Sequence, residues 1–547
     1  MKLEIVIAGG GFAGAYCAKT LSHLLGPQGV QRIGLIAEQN IMVFQPLLAE
    51  VAGSSLSPLD VVNPLRLFCR GVNVFRGRIT DVDLAKRQLT LDAGSFTSNT
   101  MIEFEHLVLA LGSVVDLSRV PGMPEHALVL KGVGDALQIR RTVINRLEEA
   151  NLESDHRTLR QLLTFVVVGG GFSGVETAGQ ILDLARSAKP YYHNLRDETL
   201  RVVLVHSGPW LLPEVGESLG RYAEKKLRQR GMEIILNTRA TSMTASKIFL
   251  ENGQTIETAT VLSTVGNAPQ PLILDLAKKF GLETIKGRIV TEPTCKVKGA
   301  ERLWAAGDCA AVPVNGKPAS PPLAQFAQRQ GELLAKNIVR HMHGESLQPF
   351  AHKNLGQLAS IGHHTAVADI MGFQFSGFIA WWIWRSIYLF KLPGLQRKLR
   401  LMIDWTMDLF FPREISVLVP DPTNVVQEMY LDKGDVVFHA GEPAFSFYIV
   451  KEGRVDFLDG SEPVQSMTRG QHFGARGLLG DGVWHHKAVA AEATILVSIS
   501  RKAFLTLAES STAFRQSLAH VSPQNLPPRT PAKSVGPMDQ RTVEANR

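Results

Sequence analysis

The chain has 547 residues, a net charge of +7, 45% hydrophobic and 20% charged residues. Such a length predicts about three domains, each burying its own core, and the composition argues for a soluble-type protein rather than an integral membrane one. The basic excess is moderate, and 28 prolines and 48 glycines interrupt any long basic helix, so nucleic acid is not an expected partner.

The segment IVIAGGGFAGAYCAKTL from Ile5 reads as a β-branched strand, a G-x-G-x-x-G turn and a helix start, and FVVVGGGFSGVETAGQI from Phe165 repeats it. In such a turn the first Gly (Gly9, Gly169) permits the tight bend. The second (Gly11, Gly171) lets backbone approach a pyrophosphate, and the third (Gly14, Gly174) lets the helix pack close, with its N-terminal dipole on the phosphates. Phe12 and Ala13, and Phe172 and Ser173, complete the two turns. One copy is a weak signal. Two copies in matched strand–helix context predict two dinucleotide sites, most simply in a flavoenzyme that passes a hydride between bound cofactors.

After the first turn a strand, Ile33–Ala37, leads to Glu38, placed to hydrogen-bond an adenosine ribose. Leu107–Ser113 reads as a buried strand ending at the Gly112 turn. The second copy repeats the plan: Val202–Val205 leads to His206, and a closing strand runs into Thr264, Val265 and Gly266. Leu303–Ala310 then resumes the outer plan, with Gly307 and Asp308 at a strand end. The expected fold is α/β, with two Rossmann-type domains, one inserted in the other. The expected boundaries are 1–120 and 291–372 for the outer domain and 121–290 for the inserted one.

From residue 373 the texture changes. FQFSGFIAWWIWRSIYLFKL carries three of the seven tryptophans and is followed by LQRKLRLMIDWTMDLFF. Arg385 and Lys391 keep any apolar run below the roughly 18–20 residues that span a bilayer. Over 395–410, Leu395, Leu399, Met402, Leu409 and Phe410 fall on one helical face, and Arg397, Arg400, Asp404 and Asp408 on the other. Residues 373–411 are expected to be amphipathic helices at a membrane surface; packing on the protein's own core or at a homodimer interface is the alternative. Residues 412–427 read as a linker, 428–510 as a domain of short strands and glycine turns, and 511–547 as a helix remnant with a disordered tail.

The four cysteines, Cys17, Cys69, Cys295 and Cys309, form no C-x-x-C pair, which predicts neither a disulfide framework nor a thiol relay. This counts against disulfide-reductase and sulfide-oxidising chemistry. MKLEIVIAGG enters a strand at once, which predicts no signal peptide and a cytoplasmic, reducing setting.

Taken together, GGGFAG at 9, FQPLLAEVAG at 44, PGMPEHA at 121, GGGFSGVETAG at 169, TVGNAP at 264, AAGDCA at 305, PPLAQFA at 321 and LASIGHHTAVAD at 358 resemble the type II NADH:quinone oxidoreductases over about residues 1–415. The resemblance implies FAD held by the first turn (Gly9, Gly11, Phe12, Ala13, Gly14), Glu38, Gly112, Gly307, Asp308, Ala324 and Gln325. It implies NADH held by the second turn (Gly169, Gly171, Phe172, Ser173, Gly174), Glu176, His206 and Gly266. Glu176 is implied at the nicotinamide–flavin contact and Gln325 on the quinone side, as the catalytic pair; no metal is implied. The partners so implied are a quinone and, at the cytoplasmic face, the surface of the cell membrane, without proton pumping.

Two departures stand out. Where the family places a second Gln four residues after the first, this chain has Arg329, which leaves the acceptor open. Where the family ends a strand with Glu, this chain has His206; losing the carboxylate relaxes exclusion of a 2′-phosphate, and a protonated His would attract it. NADH is the expected donor and NADPH the alternative.

Leu431–Val455 and His472–Gly480 resemble a cyclic-nucleotide-binding β-barrel, of the double-stranded β-helix type. The family's ribose-binding Glu is here Ala475, its phosphate-binding Arg falls at His485 or His486, and Arg476 is out of register. Loss of such a buried bidentate partner removes on the order of 2–3 kcal/mol, which argues against a cyclic nucleotide as ligand. The alternatives to a respiratory enzyme are a redox or nucleotide sensor reporting through this barrel, and a soluble diaphorase-like reductase with a non-quinone acceptor.

Overall fold

The computed structural model describes residues 1–94, 97, 99–352, 356–362, 364–416, 426–460, 462–479, 483–501, 503 and 504. The segment 511–547 and most of the expected linker lie outside the described residues. The chain divides into two units, Met1–Leu418 and Val419–Arg547.

In the first unit the outer sheet runs in the order Asn73–Arg76, Ile33–Ala37, Lys2–Ala8, Thr100–Leu109, Gln88–Asp92, Arg78–Asp83, with Leu303–Ala305 also paired to Thr100–Leu109. The central strands pair in parallel, and all five residues of Ile33–Ala37 are buried, as expected of strands covered on both faces. The inserted sheet, Leu128–Val129, Thr260–Ser263, Thr164–Val168, Arg201–Val205 and Glu233–Ile235, is parallel throughout. Parallel neighbours need a crossover, and the two glycine-turn helices supply it: Phe12–Gly29 in the outer sheet and Phe172–Ala188 in the inserted one.

The chain leaves and re-enters the outer domain at one place, where Ser113–Val115 pairs antiparallel with Asn267–Pro269. The return is thus earlier than residue 290. Helix Pro271–Phe280 already packs on the outer sheet, with Lys279 Nζ 2.9 Å from Asp81, and Arg288–Val290 pairs with Ala310–Ala311. The strand expected over Leu107–Ser113 ends at Leu109, because Gly112 adopts φ +71° and turns the chain into the crossing strand.

A three-stranded antiparallel sheet, Gly356–Ser360, Ala366–Ile370 and Phe373–Gly377, precedes helices Phe378–Lys391 and Leu395–Met407. Trp381, Trp384, Leu401 and Trp405 pack inward, while Phe378, Ile379, Trp382, Phe390, Leu395, Leu399, Met402 and Phe410 are exposed. The apolar stripe read from the sequence therefore faces outward, and Arg400 turns toward buried Asp60, 3.8 Å away. Arg385, which breaks the apolar run, also points inward: its guanidinium lies over the Trp381 and Trp405 rings at 3.9 and 4.9 Å. Among the described residues no helix is long and apolar enough to cross a membrane.

The second unit holds two four-stranded antiparallel sheets that share an aromatic core. Phe438 and Trp484 stack at 3.7 Å with their planes 6° apart, and the short helix Ala475–Leu479 lies in the same unit. Arg476, His485 and His486 are exposed.

Candidate active site

The two glycine turns have nearly the same geometry. Gly9 and Gly169 adopt φ +115° and +117°, a region disfavoured for residues with a Cβ. A Cβ on Gly14 would strike the Gly9 carbonyl oxygen, and one on Gly174 would strike that of Gly169. Each helix starts at a glycine N-cap, Gly11 or Gly171, with no side chain capping it. The first N–H groups are therefore left for a ligand's phosphates, as a pyrophosphate site needs.

Beside the first turn, Gly307 (φ +76°) packs against Ala13, whose Cβ would stand 3.2 Å from a Cβ on Gly307. The Gly307 N–H donates to Gln330 Oε1 at 2.8 Å, and Gln330 Nε2 donates to Ser320 Oγ at 2.7 Å, wholly buried. Asp308 accepts from Ser113 Oγ at 3.4 Å, and Lys131 Nζ donates to the same hydroxyl at 2.9 Å. Asp135 fixes the Lys131 backbone, accepting its N–H at 2.9 Å and that of Gly132 at 2.8 Å. A Cβ on Gly11 or Gly112 would meet open space. These residues fit FAD: a glycine cradle for the pyrophosphate and a carboxylate at Asp308 for the ribityl hydroxyls.

A cavity of about 240 Å³ joins the two domains, lined by Gln45, Lys131, Glu176, Thr264, Asp308 and Pro322 among others. Glu176 and Asp308, from different domains, thus face one space. Pro322 sits just before helix Ala324–Met342, which has no side-chain cap at its N-cap Leu323, so its positive end lies beside the cavity. Gln325 is half-buried in the first turn of that helix. Burial pushes the Glu176 carboxyl up to about 8, and the charge of Glu50 adds to the rise, while the Ser360 N–H, donating at 3.1 Å, opposes it. The carboxyl is thereby shifted toward its protonated form near neutral pH, the form that proton donation needs.

His206 behaves otherwise than a phosphate-attracting imidazolium. Its Nδ1 accepts the Gly170 N–H at 3.1 Å, and burial lowers its pKa, so the ring is neutral and braces the second turn. Glu38 stands at the end of its strand with its carboxylate 3.2 Å from Arg78 Nε. Arg329 is exposed and contacts His352 Nδ1 at 3.0 Å. The four cysteines are all buried, with thiols pushed well above neutrality (Cys309 to about 11), so none is a ready thiolate.

Residues 3–331 match the pyridine nucleotide-disulphide oxidoreductase family, residues 354–414 the NDH2 C-terminal domain, and residues 428–511 the cyclic nucleotide-binding domain. Over 430 residues the chain is 31% identical to the type II NADH:quinone oxidoreductase Ndh of Mycobacterium tuberculosis, covering 76% of this chain and 90% of that protein. The chain belongs to the type II NADH:quinone oxidoreductase family. Among further members, the internal alternative NAD(P)H-ubiquinone oxidoreductase A1 of Arabidopsis thaliana is 27% identical, with 76% of this chain and 86% of that protein covered. The structure of NDH2 from Plasmodium falciparum in complex with NADH shares the fold at a TM-score of 0.70 and 18% identity, over 76% of this chain and 99% of that one.

As a family member the chain is an FAD and NADH enzyme. The spacing in the sequence puts the turns and Asp308 at strand ends and Glu176 and Gln325 at helix starts, and the structure has them there. Lys131, Gln330 and Glu50 were not singled out. Glu50 did leave a signal, as the one acid within the apolar run PLLAEVA.

Proposed function

We propose that this chain oxidises NADH through bound FAD and passes two electrons to a quinone at a membrane surface, without pumping protons. The cavity shared by Glu176 and Asp308 carries the reading, because it brings the second dinucleotide turn and the flavin cradle onto one reacting space. Bound FAD supplies the hydride acceptor and the two-electron donor. The protein's part is positional. The Gly169–Gly174 turn orients the nicotinamide dinucleotide, Asp308 and the Gly307–Gln330 pair hold the flavin cradle, and the Leu323 helix end favours negative charge on the cavity. Glu176 holds the exchangeable proton, and Gln325 offers an amide to a quinone carbonyl.

The exposed face of 373–411 supports peripheral membrane attachment, with the cytoplasmic side as the proposed face. Phe378, Ile379, Trp382, Phe390, Leu395, Phe410 and Phe411 are each 62–81% exposed, a cost in water that an interfacial lipid layer removes. The second unit is read as a double-stranded β-helix barrel kept for structure or protein contact. Trp484 is stacked in its core, and Ala475 takes the place of the ribose-binding acid.

Anaerobic stopped-flow tests the enzyme reading. NADH bleaches the flavin and a short-chain ubiquinone restores it within the turnover time. Bleaching with no quinone reoxidation refutes the quinone step. Sedimentation with lipid vesicles tests the attachment: the wild type pellets, and a Trp382→Ser, Phe390→Ser, Phe411→Ser variant stays in solution.

A further inference from the structure

We propose that Glu50 is the entry point of a two-carboxyl relay, Glu50 to Glu176, that delivers the solvent proton of each turnover to the reacting cavity. The inference rests on the quinone-reductase reading above. NADH supplies two electrons and one proton as a hydride. A quinone takes two electrons and two protons as its two C=O groups become C–OH. One proton per turnover must therefore come from water.

The architecture gives that proton a route. A second cavity, of about 600 Å³, is lined by Glu50, Ser360, Trp381, Arg385, Asp408 and Phe411 among others. Leu48 and Ala49 line the smaller, flavin-side cavity, so the short helix Leu48–Ala52 forms a wall between the two spaces. Its next residue, Glu50, faces the larger one and is 4% exposed. Ser360 ties the wall together from the other side: it lines the larger cavity while its N–H holds Glu176 Oε1. That approach requires Gly179, where a Cβ would stand 2.9 Å from the Ile361 carbonyl oxygen. Glu50 thus lines one cavity and Glu176 the other, with helix Leu48–Ala52 between the two spaces, and the charge of Glu50 adds to the rise of the Glu176 carboxyl.

The electrostatics keep both carboxyls able to hold a proton. Burial pushes Glu50 up to about 7; Arg385, Arg413 and the Trp405 indole, which donates to Oε2 at 2.8 Å, oppose that rise, and Asp408 adds to it. Asp183, Arg186, Arg230 and His364 also face the larger cavity. Burial raises Glu176 as well, so both carboxyls are shifted toward the protonated form near neutral pH. A transfer from Glu176 into the reacting cavity leaves a carboxylate that takes the Glu50 proton, and Glu50 recovers one from cavity water. No bond other than O–H is made or broken on either side chain. Glu50 touches neither substrate nor cofactor and acts only through Glu176.

The test is Glu50→Gln in the full, FAD-loaded chain. The amide oxygen still accepts from Trp405, so the fold is kept and only the exchangeable proton is removed. Flavin bleaching by NADH should stay at the wild-type rate. Reoxidation by ubiquinone should fall on the order of tenfold to a hundredfold, with a larger solvent deuterium isotope effect, and Glu50→Asp should recover part of it. Independently of turnover, the protonated-carboxyl infrared absorption that the wild type loses as pH rises through about 7 should be smaller in Glu50→Gln by the contribution of one carboxyl, with the Glu176 and Asp60 contributions retained. A Glu50→Gln protein that is reoxidised at the wild-type rate with an unchanged isotope effect overturns the relay. So does equal loss of both half-reactions, which marks a structural role. A wild type that no quinone reoxidises overturns the proposed function instead, while the infrared titration still reports on Glu50.

Discussion

Gln330 Oε1 accepts the backbone N–H of Gly307 at 2.8 Å, which places a wholly buried amide under the strand end that carries Asp308. The other end of that amide donates to Ser320 Oγ at 2.7 Å. Gln330→Ala leaves both partners buried and unsatisfied, each worth about 1–3 kcal/mol. The expected result is a chain that folds but loses FAD on gel filtration. The flavin-to-protein absorbance ratio checks it, and a ratio equal to the wild type refutes the role.

The twin turns predict separable losses. Gly14→Ala drives a methyl group into the Gly9 carbonyl, and Gly174→Ala does the same at Gly169. The first variant should be purified without flavin. The second should keep its yellow colour and fail to bleach with NADH at concentrations that saturate the wild type. If Gly174→Ala loses flavin and Gly14→Ala keeps it, the two sites have been assigned the wrong way round.

Donor choice should be insensitive to pH near neutrality. Because burial holds the folded His206 pKa below its ordinary value of about 6.5, the neutral ring predominates above that pH and increasingly so as pH rises. The ratio of NADH to NADPH bleaching rates should therefore be flat from about pH 6.5 to 8. A ratio that swings toward NADPH as pH falls through that window would show a charged ring.

Asp60 is fully buried, and its carboxyl is raised by burial and by the neighbouring Asp404, with Arg400 and Arg397 opposing. A carboxyl raised on folding adds stability below its unfolded value, about 4, and that contribution is lost as pH rises through the folded value. The wild type should melt lower at about pH 8.5 than at about pH 5.5. Asp404→Asn, which removes one of the two charges, should narrow the difference, most of the gain appearing at the higher pH. Scanning calorimetry at the two pH values decides it.

Much of the site was readable before any coordinates. The glycine turns, Asp308 at its strand end, and Glu176 on the second helix are set by consecutive residues and by the spacing of strand, turn and helix. The apolar stripe of 395–410 was equally legible, and the membrane-surface reading expected it to face outward, as it does. Where reading failed, the partner was remote. His206 looked like a cation facing a phosphate until Gly170 took its Nδ1 as an acceptor. Arg385 was legible only as a break in the apolar run, and its place over the Trp381 and Trp405 rings came from residues 4 and 20 positions away.

The sequence by itself determined the two glycine turns, the strand and helix that flank each of them, and the spacing of the four cysteines. Each of these depends on φ, on a missing Cβ or on residue identity at short range. Only the tertiary structure decided which buried acids hold protons and what holds the cradle. Glu50 meets Trp405 across 355 residues, and Glu176 meets Ser360 across 184. A carboxyl's pKa follows the water and charges around it, and those come from segments that no local pattern brings together.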